Sequence, residues 1–213
     1  MNCSAPVPEL QRIHAVLRAS ASAVLVALLV GWVGLWIARS CGSLPETVIV
    51  VPEYIGGRFE LVDMDGRNVR DTDYRGKWLL VFFGFTFCPD ACPTAISTLS
   101  AALDEIGPAA AGVVPLFISF DPARDTPAHL KSFFGSIDGR FVGLTGSEAQ
   151  IAAAAKRYRA VYIRHGEGDD YVFDHSTTIY AISPDGHFVT HFNHQTPPDQ
   201  IAARMRALLA RRS

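Results

Sequence analysis

The sequence has no basic stripe. Over its 213 residues acidic and basic side chains are mixed and sum to a formal charge of −2, so nucleic acid is not an expected partner. Cysteine is scarce as well. The four present, Cys3, Cys41, Cys88 and Cys92, are too few for a disulfide-stapled scaffold in a chain this long. Internal repeats and low-complexity tracts are also missing. What remains is a chain that is 49% apolar, long enough for one well-cored domain plus an appendage and short for two domains.

The appendage is N-terminal. Residues 19–38 carry no charge, lie between Arg18 and Arg39, and are rich in Leu, Val and Ala. At about 1.5 Å per residue a helix over this run crosses a hydrocarbon core of roughly 30 Å. Trp32 and Trp36 sit toward its C-terminal end, where an indole ring suits the membrane interface. The run exceeds a usual signal-peptide core, so retention is expected over cleavage near Ala38-Arg39-Ser40. Lipoprotein processing before Cys41 is a poorer match. Arg12 and Arg18 precede the run and only Arg39 closely follows it, which puts the N-terminus in the cytoplasm and the bulk of the chain outside it. The short arm lacks an Arg- and Ser-rich transit character. A bacterial inner membrane with a periplasmic domain is therefore expected, the mitochondrial inner membrane facing the intermembrane space being the alternative. The expected division is an arm over 1–18, an anchor over 19–38, a linker over 39–57 and one domain over 58–213. Cys3 and Cys41 flank the anchor and are poor candidates to pair with each other.

Within the domain, residues 59–69 alternate around Asp65-Gly66, which predicts a hairpin. The continuous apolar runs WLLVFFGF over 78–85 and VVPLFISF over 113–120 predict strands buried on both faces. Between them, Ile96, Leu99, Leu103 and Ile106 mark one face of a helix over 93–106, giving a βαβ crossover. Thr126-Pro127 opens a second helix. Ser147 with Gln150 forms a capping box for a third over 148–158. Two strands around Pro184-Asp185-Gly186 and a closing helix over 198–210 complete an α/β plan with a mixed sheet.

Chemistry concentrates in FCPDACP over 87–93, where the first buried strand hands over to the helix, the end of a parallel strand at which ligands bind. A helix N-terminus favours thiolates. Three residues separate Cys88 from Cys92, one more than in the usual redox pair, and both sulfurs can face one point. Two thiolates suit a soft ion such as Cu(I), and an imidazole completes a set that also suits copper. Spacing alone does not choose that imidazole. His14 precedes the anchor. His129 falls on a solvated helix face, and His165 opens a polar turn over 165–170. His191 and His194 form a weak H-x-x-H pair. His175, just before a strand, is the best placed, with a satisfied core histidine as the bland alternative.

These residues resemble the Sco/SenC family of thioredoxin-like copper proteins that help assemble cytochrome c oxidase. The resemblance rests on FGFTFCPDACP over 83–93, SFDPARDTP over 119–127, and Asp174-His175-Ser176 followed by Pro184-Asp185-Gly186, and it spans residues 59–209. It implies a thioredoxin-like fold in its peroxiredoxin-like variant. Cys88, Cys92 and His175 become the ligands of one copper ion, as Cu(I) or Cu(II), and Asp174 a residue that contacts the partner or orients the site. Asp121, Arg124 and Asp125 take a structural role in the strand-to-helix loop. The implied function is a membrane-anchored metallochaperone for the dinuclear copper site of oxidase subunit II, with other copper chaperones or thiol reductants as further partners. A thiol:disulfide oxidoreductase using Cys88 and Cys92 as its redox pair is the alternative. Peroxide reduction ranks last, since it needs Arg124 to approach Cys88.

Overall fold

A computed structural model describes residues 28–29, 31–33, 55–168 and 170–211. The chain divides into two compact units, Met1–Val50 and Val51–Ser213. In the first, residues 28–29 and 31–33 are helical and exposed. The remainder of the anchor expected over 19–38 lies outside the described residues, as do Cys3 and Cys41. Among the described residues no helix is long and apolar enough to cross a membrane.

The second unit is built on β3 (Trp78–Gly84) and β4 (Val113–Ser119), which pair in parallel. All seven residues of β3 are buried. Successive side chains of a strand point to opposite faces, so Trp78, Leu80 and Phe82 enter one core cluster while Leu79, Val81 and Phe83 enter the other. An unbroken apolar run is what a strand covered on both sides requires. Helices α1 (Ala91–Ile106), α2 (Pro127–Ile137) and α4 (Pro198–Ala210) contribute to the first cluster, and α3 (Glu148–Tyr158) to the second.

The main sheet has seven strands in the order β2-β1-β5-β4-β3-β8-β9. The hairpin β1 (Glu60–Asp63) and β2 (Asn68–Arg70) sits at one edge, and β8 (Thr178–Ile182) with β9 (Phe188–Asn193) at the other. Strand β5 (Val142–Thr145), which the apolar pattern does not announce, runs parallel to β4 and antiparallel to β1. Four residues that include a glycine leave too short a pattern to read. Gly143 lets α2 pack close, since a Cβ there would stand 3.1 Å from Leu130 and Phe134.

Both expected caps form. Thr126 Oγ1 accepts the His129 N–H at 3.3 Å, and Ser147 and Gln150 cap each other reciprocally. Helix α1 starts at Ala91, two residues before the expected Pro93. Proline is tolerated in that first turn because the N–H it lacks would have no intrahelical partner.

The largest departure from expectation follows α3. Residues 165–170 are not simply a turn. His165 ends β6 (Tyr162–His165), which pairs with β7 (Val172–His175) in a separate two-stranded sheet. His175 is thus the last residue of a strand, opposite Tyr162.

Candidate metal centre

Strand β3 ends at Gly84, and the chain turns once, with the Cys88 N–H donating to the Phe85 carbonyl at 3.2 Å, before α1 begins. Asp90 occupies the N-cap position without a side-chain cap bond. The sulfur of Cys88 takes over that role, accepting the Cys92 N–H at 3.5 Å. A helix N-terminus has unpaired N–H groups and a positive dipole end, both of which stabilise a thiolate. Cys92 is the second residue of α1 and almost wholly buried, at 1% exposure, against 9% for Cys88. Both thiols are free.

The two thiols are coupled and shift in opposite directions. The Cys92 hydrogen bond is the largest influence holding the Cys88 thiol far below its ordinary range, with bonds from His175 and the backbone N–H groups adding to it against the cost of burial. Cys92 moves the opposite way, pushed up first by its bond to Cys88 and then by burial. Both directions, and the Cys92 N–H donated to the Cys88 sulfur, favour Cys88 as the charged sulfur of the reduced pair.

His175 closes the site. Its Nε2 lies 3.9 Å from the Cys88 sulfur and 3.7 Å from the Cys92 sulfur. Its Nδ1 lies 3.0 Å from the carbonyl oxygen of Ser176. A carbonyl can only accept, so Nδ1 carries a hydrogen and Nε2 is the nitrogen turned to the sulfurs. The ring stands among Phe82, Phe85 and Phe120, with centroids 6.3, 5.9 and 5.5 Å away. An aromatic shell of this kind limits water and orients the ligand.

The three ligand atoms lie within 4.8 Å of one another, and they form the one such group of His, Cys, Asp or Glu among the described residues. With metal–sulfur and metal–nitrogen bonds of about 2.3 and 2.0 Å, a planar three-ligand site separates sulfur from nitrogen by roughly 3.7 Å. The two sulfur–nitrogen separations, 3.9 and 3.7 Å, match that spacing. Two sulfurs and one imidazole are the donor set of a soft or borderline ion.

The other candidates fall elsewhere. Asp174 alternates outward on β7, where its carboxylate pairs with His165 Nε2 at 2.9 Å and its side chain is 81% exposed. His191 lies on β9, stacked on Phe188, and His194 follows that strand; neither joins the cysteines. His129 is more than a solvated helix residue, since Nε2 is 2.9 Å from Thr86 Oγ1 and its ring stacks on Phe87. Two sets of contacts went unread in the sequence. One is the aromatic shell around His175. The other is Tyr171, whose hydroxyl donates to the buried Asp121 at 2.6 Å while Arg124 lies 3.7 Å over its ring and bonds Asp121. The charge-rich DPARD segment was the visible half of that second network.

A mixed sheet with a dithiol at the mouth of its first helix, and an imidazole brought against it, defines a thioredoxin-like protein with a Cys-Cys-His group able to hold a metal ion. The chain belongs to the SCO1/SenC family, whose model matches residues 50–210. It is 36% identical over 155 residues to a SCO2-like protein of Rickettsia conorii, covering 71% of this chain and 76% of that one. Among solved structures it resembles Arabidopsis thaliana ScoI with copper bound, at a TM-score of 0.69 and 37% identity, covering 75% and 99% of the two chains. It also resembles BsSco, described as a member of the Sco family of cytochrome c oxidase assembly proteins with a disulfide switch, at a TM-score of 0.60 and 26% identity, covering 74% and 94%.

Proposed function

We propose that this protein is a copper metallochaperone, in which Cys88, Cys92 and His175 hold one copper ion and pass it on for cytochrome c oxidase assembly. The observation that carries the reading is the approach of His175 Nε2 to both sulfurs, with Nδ1 already bonded to the Ser176 carbonyl. Soft thiolates favour Cu(I), and the imidazole extends the set to Cu(II). Copper bound to the ScoI relative, and the oxidase-assembly role ascribed to the family of BsSco, support it.

Uptake costs little reorganisation. Cys88 enters as a thiolate, Cys92 gives up its proton, and His175 already turns Nε2 to both sulfurs, so binding releases protons. Release is ligand exchange. Each departing sulfur is replaced by an incoming thiolate of the recipient, and the recipient's proton passes to the sulfur set free. The oxidation state of copper does not change. The recipient we infer is the dinuclear copper site of oxidase subunit II. The domain would work beside it from a membrane anchor over 19–38, facing the periplasm, and Asp174, outward on β7, is suited to contact the partner.

The test is a copper titration of the reduced full-length chain beside Cys88→Ala, Cys92→Ala and His175→Ala. Near-stoichiometric uptake by the wild type and loss of tight binding in the cysteine variants is expected. Equal affinity in wild type and His175→Ala would remove His175 from the site.

The depressed Cys88 thiol favours a second reading, reduction of a partner disulfide. Cys88 would attack one sulfur, forming a mixed disulfide and releasing a thiolate. Cys92 would then resolve it, leaving this pair oxidised and the partner reduced by two electrons. His175→Ala should keep that activity while losing copper. Arg124, which peroxide reduction would need at Cys88, is committed to Asp121 and Tyr171.

A further inference from the structure

We propose that His129 is a positioning residue for the Cys88 turn, acting through Thr86 and Phe87, and that it slows the release of copper from the reduced site. The proposal rests on the copper reading above.

The geometry begins at Asp125, a carboxylate with no solvent exposure. Burial of a charge is costly unless its oxygens are satisfied. Here they are. Asp125 accepts the Thr86 N–H at 3.0 Å and the hydroxyls of Thr86 and Ser119, each at 2.5 Å. Thr86 lies two residues before Cys88, and Ser119 ends β4, so one buried carboxylate ties the metal-site turn to the strand beside it.

Thr86 has a single hydroxyl hydrogen, and Asp125 takes it. The Thr86 oxygen can then meet His129 Nε2, 2.9 Å away, only as an acceptor. His129 Nε2 therefore carries a hydrogen and donates it. The same imidazole stacks on Phe87, with centroids 5.6 Å apart and planes at 13°, while the Arg124 guanidinium lies 4.6 Å from the Phe87 ring. The two residues immediately before Cys88 are thus held by one side chain of α2, Thr86 at its hydroxyl and Phe87 at its ring.

Release makes this hold matter. Cys88 is the more exposed of the two sulfurs and the one a recipient thiolate reaches first, so copper leaves when the Cys88 turn yields. A turn pinned at residues 86 and 87 keeps the sulfur against Cys92 and His175. Freed, it opens more often. Partners that orient a metal ligand in this way alter metal retention by about 10-fold or more when removed.

The test uses the full-length chain as wild type, His129→Ala, Thr86→Val and Thr86→Ser. Reduced protein is loaded with one equivalent of Cu(I) and mixed with excess bathocuproine disulfonate, and the coloured complex is followed in time. Release about 10-fold faster is expected in His129→Ala and Thr86→Val, with Thr86→Ser near wild type because it keeps the hydroxyl. In metal-free reduced protein, His129→Ala should speed amide exchange at residues 86–88 and leave β3 unchanged. Release within twofold of wild type, with unchanged exchange at 86–88, overturns the proposal. So does faster exchange spread evenly over the whole domain, which would mark His129 as a general stabiliser. If wild type binds no copper, it is the copper reading that fails, and the exchange at 86–88 still decides the positioning role.

Discussion

A Cβ placed on Gly84 would stand 2.5 Å from the sulfur of Cys92. The last residue of β3 is thus the floor on which the buried Cys92 sulfur rests, with Phe117 closing the same space at 3.0 Å. Gly84→Ala should displace the Cys92 sulfur toward His175 or force the ring of Phe117 aside. We expect a loss of about 1–3 kcal/mol in stability and a copper affinity lower by about 10-fold. Urea unfolding and competitive copper titration of the same samples measure both.

The unequal thiols can be read by alkylation. Cys88 is held below the ordinary thiol range and Cys92 above it. A depressed acid stays ionised as pH falls until its lowered pKa is reached, so Cys88 should react with iodoacetamide at a nearly constant rate between about pH 5 and 8. An unperturbed thiol, with a pKa of about 8.5, would slow by several hundred-fold over that interval. Mass spectrometry after brief labelling at pH 6 should find Cys88 modified and Cys92 intact. A rate at Cys88 that rises tenfold per pH unit would show that it is not the thiolate.

Tyr171 is 7% exposed and sits in the turn between β6 and β7, where its hydroxyl bonds Asp121 and its carbonyl accepts from Arg124 at 3.1 Å. Tyr171→Phe removes the hydroxyl link between the hairpin that carries His175 and the loop after β4, and keeps the carbonyl and ring contacts to Arg124. A cost of about 1–2 kcal/mol is expected, with copper affinity falling by several-fold while affinity for an unrelated thiol reagent stays unchanged. An affinity equal to wild type would show that the hairpin holds His175 without this bond.

Asp174 and His165 form an exposed pair on the outer side of the same hairpin. Asp174→Asn should therefore leave copper affinity within twofold of wild type. On the proposed function its effect is expected in the encounter with the recipient, as a slower transfer at low salt that converges on wild type as salt rises. Stopped-flow transfer to a reduced subunit II copper domain reads this. A lower copper affinity in the variant would place Asp174 at the metal site.

Acid stability should depend on Asp138. Its carboxyl is lowered to about 2, first by the Arg140 hydrogen bond at 2.6 Å and also by Ser100 at 2.7 Å. Because the folded pKa lies below the unfolded one, the carboxylate stabilises the fold above about pH 4, and that contribution fades as pH falls toward 2. Asp138→Asn should lose about 1–2 kcal/mol at neutral pH, and the two proteins should converge near pH 2. A gap that persists unchanged at pH 2 would assign the effect to packing.

Where a segment's structure depends on its own residues, it was legible. The apolar run of β3, the Thr126 cap of α2, the Ser147–Gln150 box of α3 and the turn at Asp185-Gly186 are all local, and each was expected from the residues in place. The short strands were not. β5 has four residues, and β6 and β7 have four each around a glycine-containing polar tip, so their identity comes from the partner they pair with.

The sequence alone determined that two cysteines stand at the mouth of the first long helix of an α/β domain, because strand, turn and helix are contiguous and the spacing of Cys88 and Cys92 sets their sulfurs on one side. Which histidine joins them was decided by tertiary structure, since His175 lies 87 positions beyond Cys88. The register Tyr162↔His175 turns His175 inward and leaves Asp174 facing out. A shift of one residue would exchange them, and nothing in the segment Phe173 to Ser176 states that register by itself. It comes from the packing of Phe85, Phe120, Tyr162 and Phe173, side chains that meet only once the sheet has formed.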